Sequence, residues 1–433
     1  MTLAYLGYAM IAVLMVLIVT KKMSPFAALM SVPLVFGAIA CVINGVSIME
    51  LTTYCTDSMK GMASNFCLMF FAIVYFALMV ETGMFDPLVS FIVRFVKGDP
   101  LKVLVGVAVM AAIVALDGDG TTTYLIICTA MIPVFERLKM NKLYLAGISL
   151  SQVSVMNLLP WGGPTARILV VCGIEPGRMA QMLMPGMILA ILYNIGVAYY
   201  LGLKERKRLG IADISAMEVA AAEDESGLKR PKLVVFNFAL TILSMVALIA
   251  GWVPSMLTFA IATTIALIVN YPNLKTQNEL VQKCGAETIP VISLILAAGI
   301  LMGVLDGCGM SDAMALHLSN LVPESLSSFF SIISSIISCF GTFFLSNDGY
   351  YYGVLPILAE AGYACGFNNE TMAYAAAMGQ CFHLISPLVG SFYVISKLTD
   401  QGITDIQKFN LKWGPGMFLA FAVAGVLTGV YPW

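Results

Sequence analysis

Long runs of apolar residues recur along almost the whole 433-residue chain. A helix needs about 20 such residues to cross about 30 Å of hydrocarbon. Suitable runs lie at 3–20, 25–45, 62–82, 179–203, 233–252, 253–270, 288–310 and 413–432. Hydrophobic residues make up 60% of the chain and charged residues only 11%, too few charges to cover a water-soluble surface. The sequence therefore predicts an all-α polytopic membrane protein.

Charge and cysteine content exclude several functions. The net charge of −2 provides no basic excess for nucleic acid, so we expect no such partner. The ten cysteines form no CxxC pair, and the chain has neither a HExxH motif nor a recognisable nucleophile–histidine pair. We therefore expect no enzyme activity and no prosthetic group.

Two stretches, 101–173 and 323–397, do not divide into simple spans. Each contains an apolar run, a polar cluster with Gly and Asp, a second apolar run, and then a helix interrupted by Pro and Gly. This pattern predicts re-entrant hairpins at about 101–137 and 323–362, and broken helices at about 143–173 and 371–397. Irregular backbone at membrane depth is tolerated only where it lines a cavity or is buried in protein.

Short motifs recur at a nearly constant offset. Residues 83–86 (GMFD) match 309–312 (GMSD) at offset 226, and 119–120 match 348–349 at offset 229. The Pro and Gly of the first broken helix recur at offset 227. We predict two repeats of five crossings each, at 1–203 and 233–433, joined by a cytoplasmic linker at 204–232. An odd number of crossings inverts the second repeat, as in secondary transporters with a midplane site.

The basic residues predict the orientation of the chain. With this assignment of spans, 20 of the 23 Lys and Arg residues lie on one side of the membrane. Loops rich in Lys and Arg are cytoplasmic. Both termini are therefore predicted to lie outside, and the two hairpin tips are expected to converge on one central site.

The first hairpin tip combines features suited to anions and to cations. Glycines bring backbone amides close to a ligand, and the following helix directs its N-terminal N–H groups at the tip. Carboxylates favour hard divalent cations. We predict Asp117 and Asp119 as metal ligands, with capping of the returning helix as the alternative for each. The predicted substrate contacts are Gly118, Gly120 and Thr121.

The first broken helix carries Arg167, the only strongly basic residue well inside an apolar region. Its planar guanidinium suits bidentate binding of a carboxylate. The alternative is a structural pair with an acidic residue or with carbonyl groups. Other predicted substrate contacts from this break are Asn157, Gly162, Gly163 and Thr165.

The second tip and the second break supply hydroxyl, amide, carboxylate and imidazole groups. Asp348 is the predicted metal ligand. His383 titrates in the physiological range and is the proton-coupling candidate, with a hydrogen-bonded core histidine as the alternative. The predicted substrate contacts are Ser346, Asn347, Ser386, Gly390 and Ser391.

Two segments, 116–124 (LDGDGTTTY) and 159–167 (LPWGGPTAR), closely resemble the citrate–metal–proton symporter family of bacteria (CitMHS), within the ion transporter superfamily. Segments 95–102 and 353–360 are also similar. The resemblance implies proton-driven import of citrate complexed with a divalent cation of the Mg²⁺ or Ca²⁺ class as co-substrate. It also implies a bacterial inner membrane location, a homodimer and an elevator mechanism.

Two other functions stay open from the sequence. Sodium-coupled di- and tricarboxylate carriers of the same superfamily have Ser-Asn-Thr at both tips. In this chain Ser346-Asn347 matches two of the three positions at the second tip, whereas the first tip has Asp-Gly-Asp-Gly instead. Sodium dependence would distinguish such a carrier. An ion channel also uses convergent half-helices, but it would not accumulate substrate against a gradient.

Overall fold

The structure, a computed structural model, describes residues 2–96, 98–211, 227–320 and 323–431. Within these ranges the regular elements are helices and no strand occurs. The all-helical prediction is therefore confirmed. Residues 212–226 of the predicted linker lie outside the described residues.

The first half of the chain folds into helices α1 to α10, and a 3₁₀ turn at Ala115–Asp117 follows α6. Their bounds are Thr2–Val19 (α1), Pro25–Asn44 (α2), Ile48–Gly61 (α3), Ala63–Glu81 (α4), Asp86–Val96 (α5), Pro100–Val114 (α6), Gly120–Arg137 (α7), Lys142–Met156 (α8), Gly163–Cys172 (α9) and Pro176–Leu209 (α10).

The second half folds into helices α11 to α23, and a π-helical turn at Tyr350–Val354 precedes α19. Their bounds are Val234–Ile249 (α11), Ser255–Asn270 (α12), Leu274–Ala286 (α13), Ile289–Gly307 (α14), Met310–Ser319 (α15), Glu324–Ser327 (α16), Phe330–Phe344 (α17), Asn347–Gly349 (α18), Leu355–Ala364 (α19), Asn369–Ala377 (α20), Gln380–His383 (α21), Gly390–Thr399 (α22) and Ile403–Leu427 (α23).

Eight helices in the described ranges are long and apolar enough to cross a membrane. Six correspond closely to predicted spans, whereas the predicted span 253–270 is the shorter helix α12. The span predicted at 413–432 instead begins at Ile403, because a helix continues through polar residues that a hydropathy criterion rejects. The eighth is Pro100–Asp117, the first arm of the predicted first hairpin.

Three short helices, α3, α13 and α15, lie in segments for which the sequence predicted no helix. They are too short or too polar for spans, and most of the stability of such helices comes from tertiary packing. In α3, Leu51 and Cys55 are buried where the helix packs on α14. Helix α10 also continues into the predicted linker, where Arg206 pairs with Asp99 and Arg208 with Glu205.

Most of the helices pack in two groups, and α15 bridges them by packing on both α14 and α19. In one group α2 packs on α14 and α4 packs on α12. The short helix α3 packs on α14, and the short helix α13 packs on α4. The second group contains α6–α10 and α17–α23, with α10 packed along both α6 and α23. Both predicted hairpins and both broken helices therefore belong to one body. Helix α9 of this body contacts α4 and α14 of the other.

Helix α10 approaches α6 closely at Gly202. A Cβ atom at this position would lie 2.7 Å from the Cα of Leu101, which real Cβ contacts do not tolerate. Gly196 lies on the same helix, but a Cβ there would meet nothing within 4 Å. The two glycines therefore provide a matched pair for testing this packing.

We predict that Gly202→Leu destabilises the protein by about 1–3 kcal/mol, because the new side chain forces α10 away from α6. Gly196→Leu, with the same change of volume, should leave stability within about 0.5 kcal/mol of the parent. Thermal unfolding of the two purified variants in detergent measures the difference. Equal melting temperatures would contradict the described contact.

Candidate functional site

The first hairpin tip is a tight turn between α6 and α7. Gly118 has a φ of 76°, a left-handed conformation that favours glycine. Asp119 caps α7, since its Oδ2 accepts the N–H of Thr122 at 2.7 Å. Asp117 Oδ1 accepts the N–H of Asp119 at 2.9 Å. The side chain of Asp119 is exposed, and its Oδ1 has no hydrogen-bond partner in the described chain. Capping therefore leaves this oxygen available to a ligand.

The first break, residues 157–162, lies against the first tip. The indole N–H of Trp161 donates to the carbonyl of Leu116 at 2.8 Å. A Cβ on Gly118 would lie 3.7 Å from the Cα of Gly162. The Trp161 ring stacks on Phe76 of α4, with the ring centroids 5.0 Å apart. The break is thus held between the first tip and the first helix group.

Arg167, on the first turns of α9, connects the first break to the second tip. Its Nε donates to Oδ1 of Asp348 at 2.7 Å, and its Nη2 lies 2.6 Å from the same oxygen in an ion-pair contact. Its Nη1 donates to the carbonyl of Gly163 at 2.7 Å. The two side chains are only 13% and 16% exposed. The structural ion pair, one of the alternatives for Arg167, is present, and Oδ2 of Asp348 receives none of these donors.

The second break contacts the tips as well. A Cβ on Gly120 of the first tip would lie 3.1 Å from Oγ of Ser391, at the start of α22. At the second tip, Asn347 accepts a hydrogen bond from Gln380 of α21 at 3.3 Å. Gln380 also donates to the hydroxyl of Tyr351 at 2.8 Å. The first tip therefore touches both breaks, and the first break joins both tips.

Other predicted site residues lie around these contacts. Ser346 caps the short helix α18 and Ser386 accepts the N–H of Leu388, so both hydroxyls take part in local turns. Asn157 is half-buried and Gly390 is exposed. Thr121 and Gly163 are partly accessible beside the tip and the break.

His383 is 3% exposed, and its Nδ1 lies 2.7 Å from the carbonyl of Thr342 on α17. This contact ties the second broken helix to the second hairpin. The geometry favours the packing alternative for this ring. Its role in proton coupling stays a prediction.

Several buried polar atoms near the Arg167–Asp348 pair have no hydrogen-bond partner in the described chain. They are Oγ1 of Thr165, the hydroxyl of Tyr352 and Oε1 of Gln380. Such atoms are rare in native proteins and often mark a missing water, ion or ligand. Thr165 was a predicted contact, whereas Gln380 and Tyr352 were missed. Gln380 carries a weak signal, as a single amide in an apolar stretch of Ala, Met, Gly and Cys.

A complete protein shell for a metal ion does not form. In the ranges that the structure describes, no three His, Cys, Asp or Glu side chains lie close enough to hold one. Asp117 and Asp119 are neighbours at the first tip, whereas Asp348 is engaged by Arg167. A cation at the first tip must take its other oxygen ligands from waters, backbone or the bound anion. Mg²⁺ is usually bound in this way, by one or two carboxylates with several waters retained.

Comparison with known proteins now identifies the family. The model of the citrate transporter family, CitMHS, matches residues 6–379. The chain belongs to this family. It is therefore a multi-pass membrane transporter and not an enzyme. The family that the hairpin and break motifs resemble is thereby confirmed.

Two relatives from Bacillus subtilis (strain 168) match nearly end to end. One, named a citrate transporter, is 43% identical over 429 residues, covering 99% of both chains. The other, named a Mg(2+)/citrate complex secondary transporter, is 40% identical over 432 residues, covering 99% of this chain and 98% of the relative.

Solved transporters share the fold at low sequence identity. The Alcanivorax borkumensis YdaH transporter aligns with a TM-score of 0.59 and 15% identity, covering 88% of this chain and 89% of its own. The Neisseria gonorrhoeae antimetabolite efflux pump MtrF aligns with a TM-score of 0.54 and 13% identity, covering 87% and 83%. These likenesses support the fold alone.

We predict that Arg167→Met lowers stability by about 3–5 kcal/mol, because it leaves the Asp348 carboxylate unpaired in a nearly buried position. Arg178→Met is the matched control. It removes a bidentate pair with Glu370 whose side chains are 49% and 29% exposed, a pair worth about 1 kcal/mol or less. Thermal unfolding in detergent compares the two variants. A loss for Arg178→Met as large as that for Arg167→Met would contradict this assignment.

Proposed function

We propose that the protein is a secondary active transporter that imports citrate complexed with a divalent metal ion, coupled to protons. One observation carries the proposal. A tip with two adjacent carboxylates and a tip with an Arg–Asp pair meet at the same helix break. Such a site offers groups for both the cation and the carboxylates of the complex. The relative named a Mg(2+)/citrate complex secondary transporter supports this choice of cargo.

In this proposal the metal ion of the cargo is bound at Asp117 and Asp119, with Asp348 facing it from the second tip. Arg167 and the N-terminal N–H groups of α7, α9 and α22 receive the citrate carboxylates. The other contacts are those predicted from the sequence: Gly118, Gly120, Thr121, Asn157, Gly162, Gly163, Thr165, Ser346, Asn347, Ser386, Gly390 and Ser391. A bound divalent ion leaves citrate with roughly one negative charge, so the complex is cheaper to desolvate than the free trianion.

We propose further that the two halves are inverted repeats and that the hairpin-containing body moves as an elevator within a homodimer. The matching order of helices in the two halves supports the repeats. Reciprocal packing between the halves supports them as well. Helix α2 contacts α14, and the equivalent helices of the other half, α12 and α4, contact each other. Helix α7 contacts α22, and their equivalents, α19 and α9, contact each other. The separation into two packing groups supports a moving body. The homodimer rests on the resemblance, and the external termini on the distribution of basic residues.

We predict that purified protein in proteoliposomes accumulates labelled citrate only when a divalent cation and an inward proton gradient are both present. The reason is that the first tip carries carboxylates that repel free citrate. Uptake is measured with Mg²⁺, with Ca²⁺, with chelator, and after collapse of the gradient by a protonophore.

The same assay separates the alternatives. Equal uptake in chelator would exclude the metal complex as cargo. Uptake that follows a sodium gradient would indicate the sodium-coupled carrier. Flux that never exceeds equilibrium would indicate a channel.

We predict that Asp119→Asn abolishes metal-dependent citrate uptake while the protein still folds. Asparagine is as good a helix cap as aspartate, so the cap on α7 persists while the charge is lost. Asp405→Asn, which removes an exposed carboxylate at the start of α23, is the control and should transport normally. Near-normal uptake by Asp119→Asn would remove this residue from the site.

A further inference from the structure

A cavity of about 640 Å³ lies beside the outer part of α9, away from the hairpin tips. It lies between the two helix groups. The α3–α4 junction and α14 line one side, and the end of α9 and α19 line the other. This space, called the α9 cavity below, opens on the membrane face where α9 ends and α10 begins. With the proposed orientation this face is outside.

The ionisable side chains of the α9 cavity are acidic. Asp306 of α14 and Glu360 of α19 line it from opposite sides, and Glu175 lies at its edge. Asp306 accepts a hydrogen bond from Ser311 at 2.6 Å. Neither Asp306 nor Glu360 forms an ion pair in the described part of the chain. No Lys or Arg lines this cavity, so no basic side chain in the lining pairs with these carboxyl groups.

An unpartnered amide is directed into the same cavity. Asn65, at the start of α4, is only 7% exposed and lines the α9 cavity. Its side chain has no hydrogen-bond partner in the ranges described. Buried polar side chains in native proteins nearly always have a hydrogen-bond partner, in the protein or in ordered water. Asn65 therefore points to a ligand or ordered water in this cavity, independently of the acidic residues.

We propose that the α9 cavity is a docking site for a hydrated divalent cation, held by the carboxylates of Asp306 and Glu360 and by the amide oxygen of Asn65. Oxygen ligands are those that hard divalent cations prefer, and Mg²⁺ commonly keeps several waters while one or two carboxylates bind it. The volume accommodates such an ion with its waters, or the metal end of a larger complex. A fully dehydrated site is not required.

The cavity lies further along α9 than the proposed cargo site. Its lining begins at Leu169, two residues after Arg167 and about 3 Å further along the axis of α9. Arg167 and Asp348 themselves do not line it. On this point the inference rests on the proposed function, in which the tips receive the cargo that docks here.

The acidic lining also provides selectivity. Coulomb repulsion scales with the charge of the ligand, so free citrate with three negative charges is disfavoured more than a metal complex with about one. The cation of the complex is attracted at the same time. The α9 cavity thus selects metal-bound citrate before it reaches the hairpin tips.

Binding of Mn²⁺ alone to the purified full-length protein tests the site. Free Mn²⁺ is counted by electron paramagnetic resonance for the parent protein, for the double variant Asp306→Asn/Glu360→Gln, and for a control. The control, Glu50→Gln/Asp57→Asn, removes two exposed carboxylates from α3, which borders the same cavity. We expect the cavity variant to lose one bound Mn²⁺ per chain and the control to lose none.

Uptake by the same variants gives a second readout. The cavity variant should show a KM for the metal–citrate complex raised at least fivefold with kcat little changed, and stronger inhibition by free citrate. Unchanged Mn²⁺ binding by the cavity variant would overturn the inference. If this variant does not fold, Asn65→Ala replaces it and should weaken Mn²⁺ binding severalfold. Unchanged affinity in Asn65→Ala would then overturn the inference.

A tip variant separates this inference from the proposed function. Asp117→Asn/Asp119→Asn should abolish uptake but retain the Mn²⁺ ion that the cavity variant loses. Normal uptake by the tip variant would reject the proposed cargo site and leave the cavity result standing. Loss of the same single Mn²⁺ ion in both variants would place that ion at the tip and overturn the docking site.

Discussion

The ion pair between Arg167 and Asp348 is the contact on which the centre of the protein depends. It joins the first broken helix to the second hairpin tip, two segments 181 residues apart. Removing two charges from water is costly, and a nearly buried pair is tolerated only when geometry and further hydrogen bonds compensate. Here the carbonyl of Gly163 supplies a second acceptor for the guanidinium. The pair therefore requires the first break and the second tip to be in place together.

The first break can contact the first tip because the backbone of the break is not helical. Residues 157–162 leave the helix, which lets Trp161 reach the carbonyl of Leu116 and brings Gly162 against Gly118. A continuous helix would cover its own backbone groups and hold the tips apart. One short unwound segment thus positions both tips. This is the arrangement expected where irregular backbone lies at membrane depth, buried in protein or lining a cavity.

Local sequence patterns were enough to locate the polar tips and the breaks, because Gly, Pro and Asp clusters interrupt apolar runs there. Local patterns were not enough to predict which side chains of distant segments pair with one another. That Arg167 pairs with Asp348, or that Gln380 holds Asn347, depends on packing between distant segments. The helices α3, α13 and α15 were missed for a related reason, since tertiary contacts rather than hydrophobic length stabilise them. The α9 cavity combines side chains from α4, α14 and α19, which no local pattern connects.

The two tips differ in charge, and this difference determines how the proposed cargo is oriented when bound. The first tip has two carboxylates and no basic partner among the described residues, whereas the carboxylate of the second tip is neutralised by Arg167. A guanidinium has five N–H donors, and the hydrogen bonds to Asp348 and Gly163 use two of them. The other N–H donors stay available without breaking the pair. In the proposed function, the metal–citrate complex therefore binds with its cation towards Asp117 and Asp119 and a carboxylate towards Arg167.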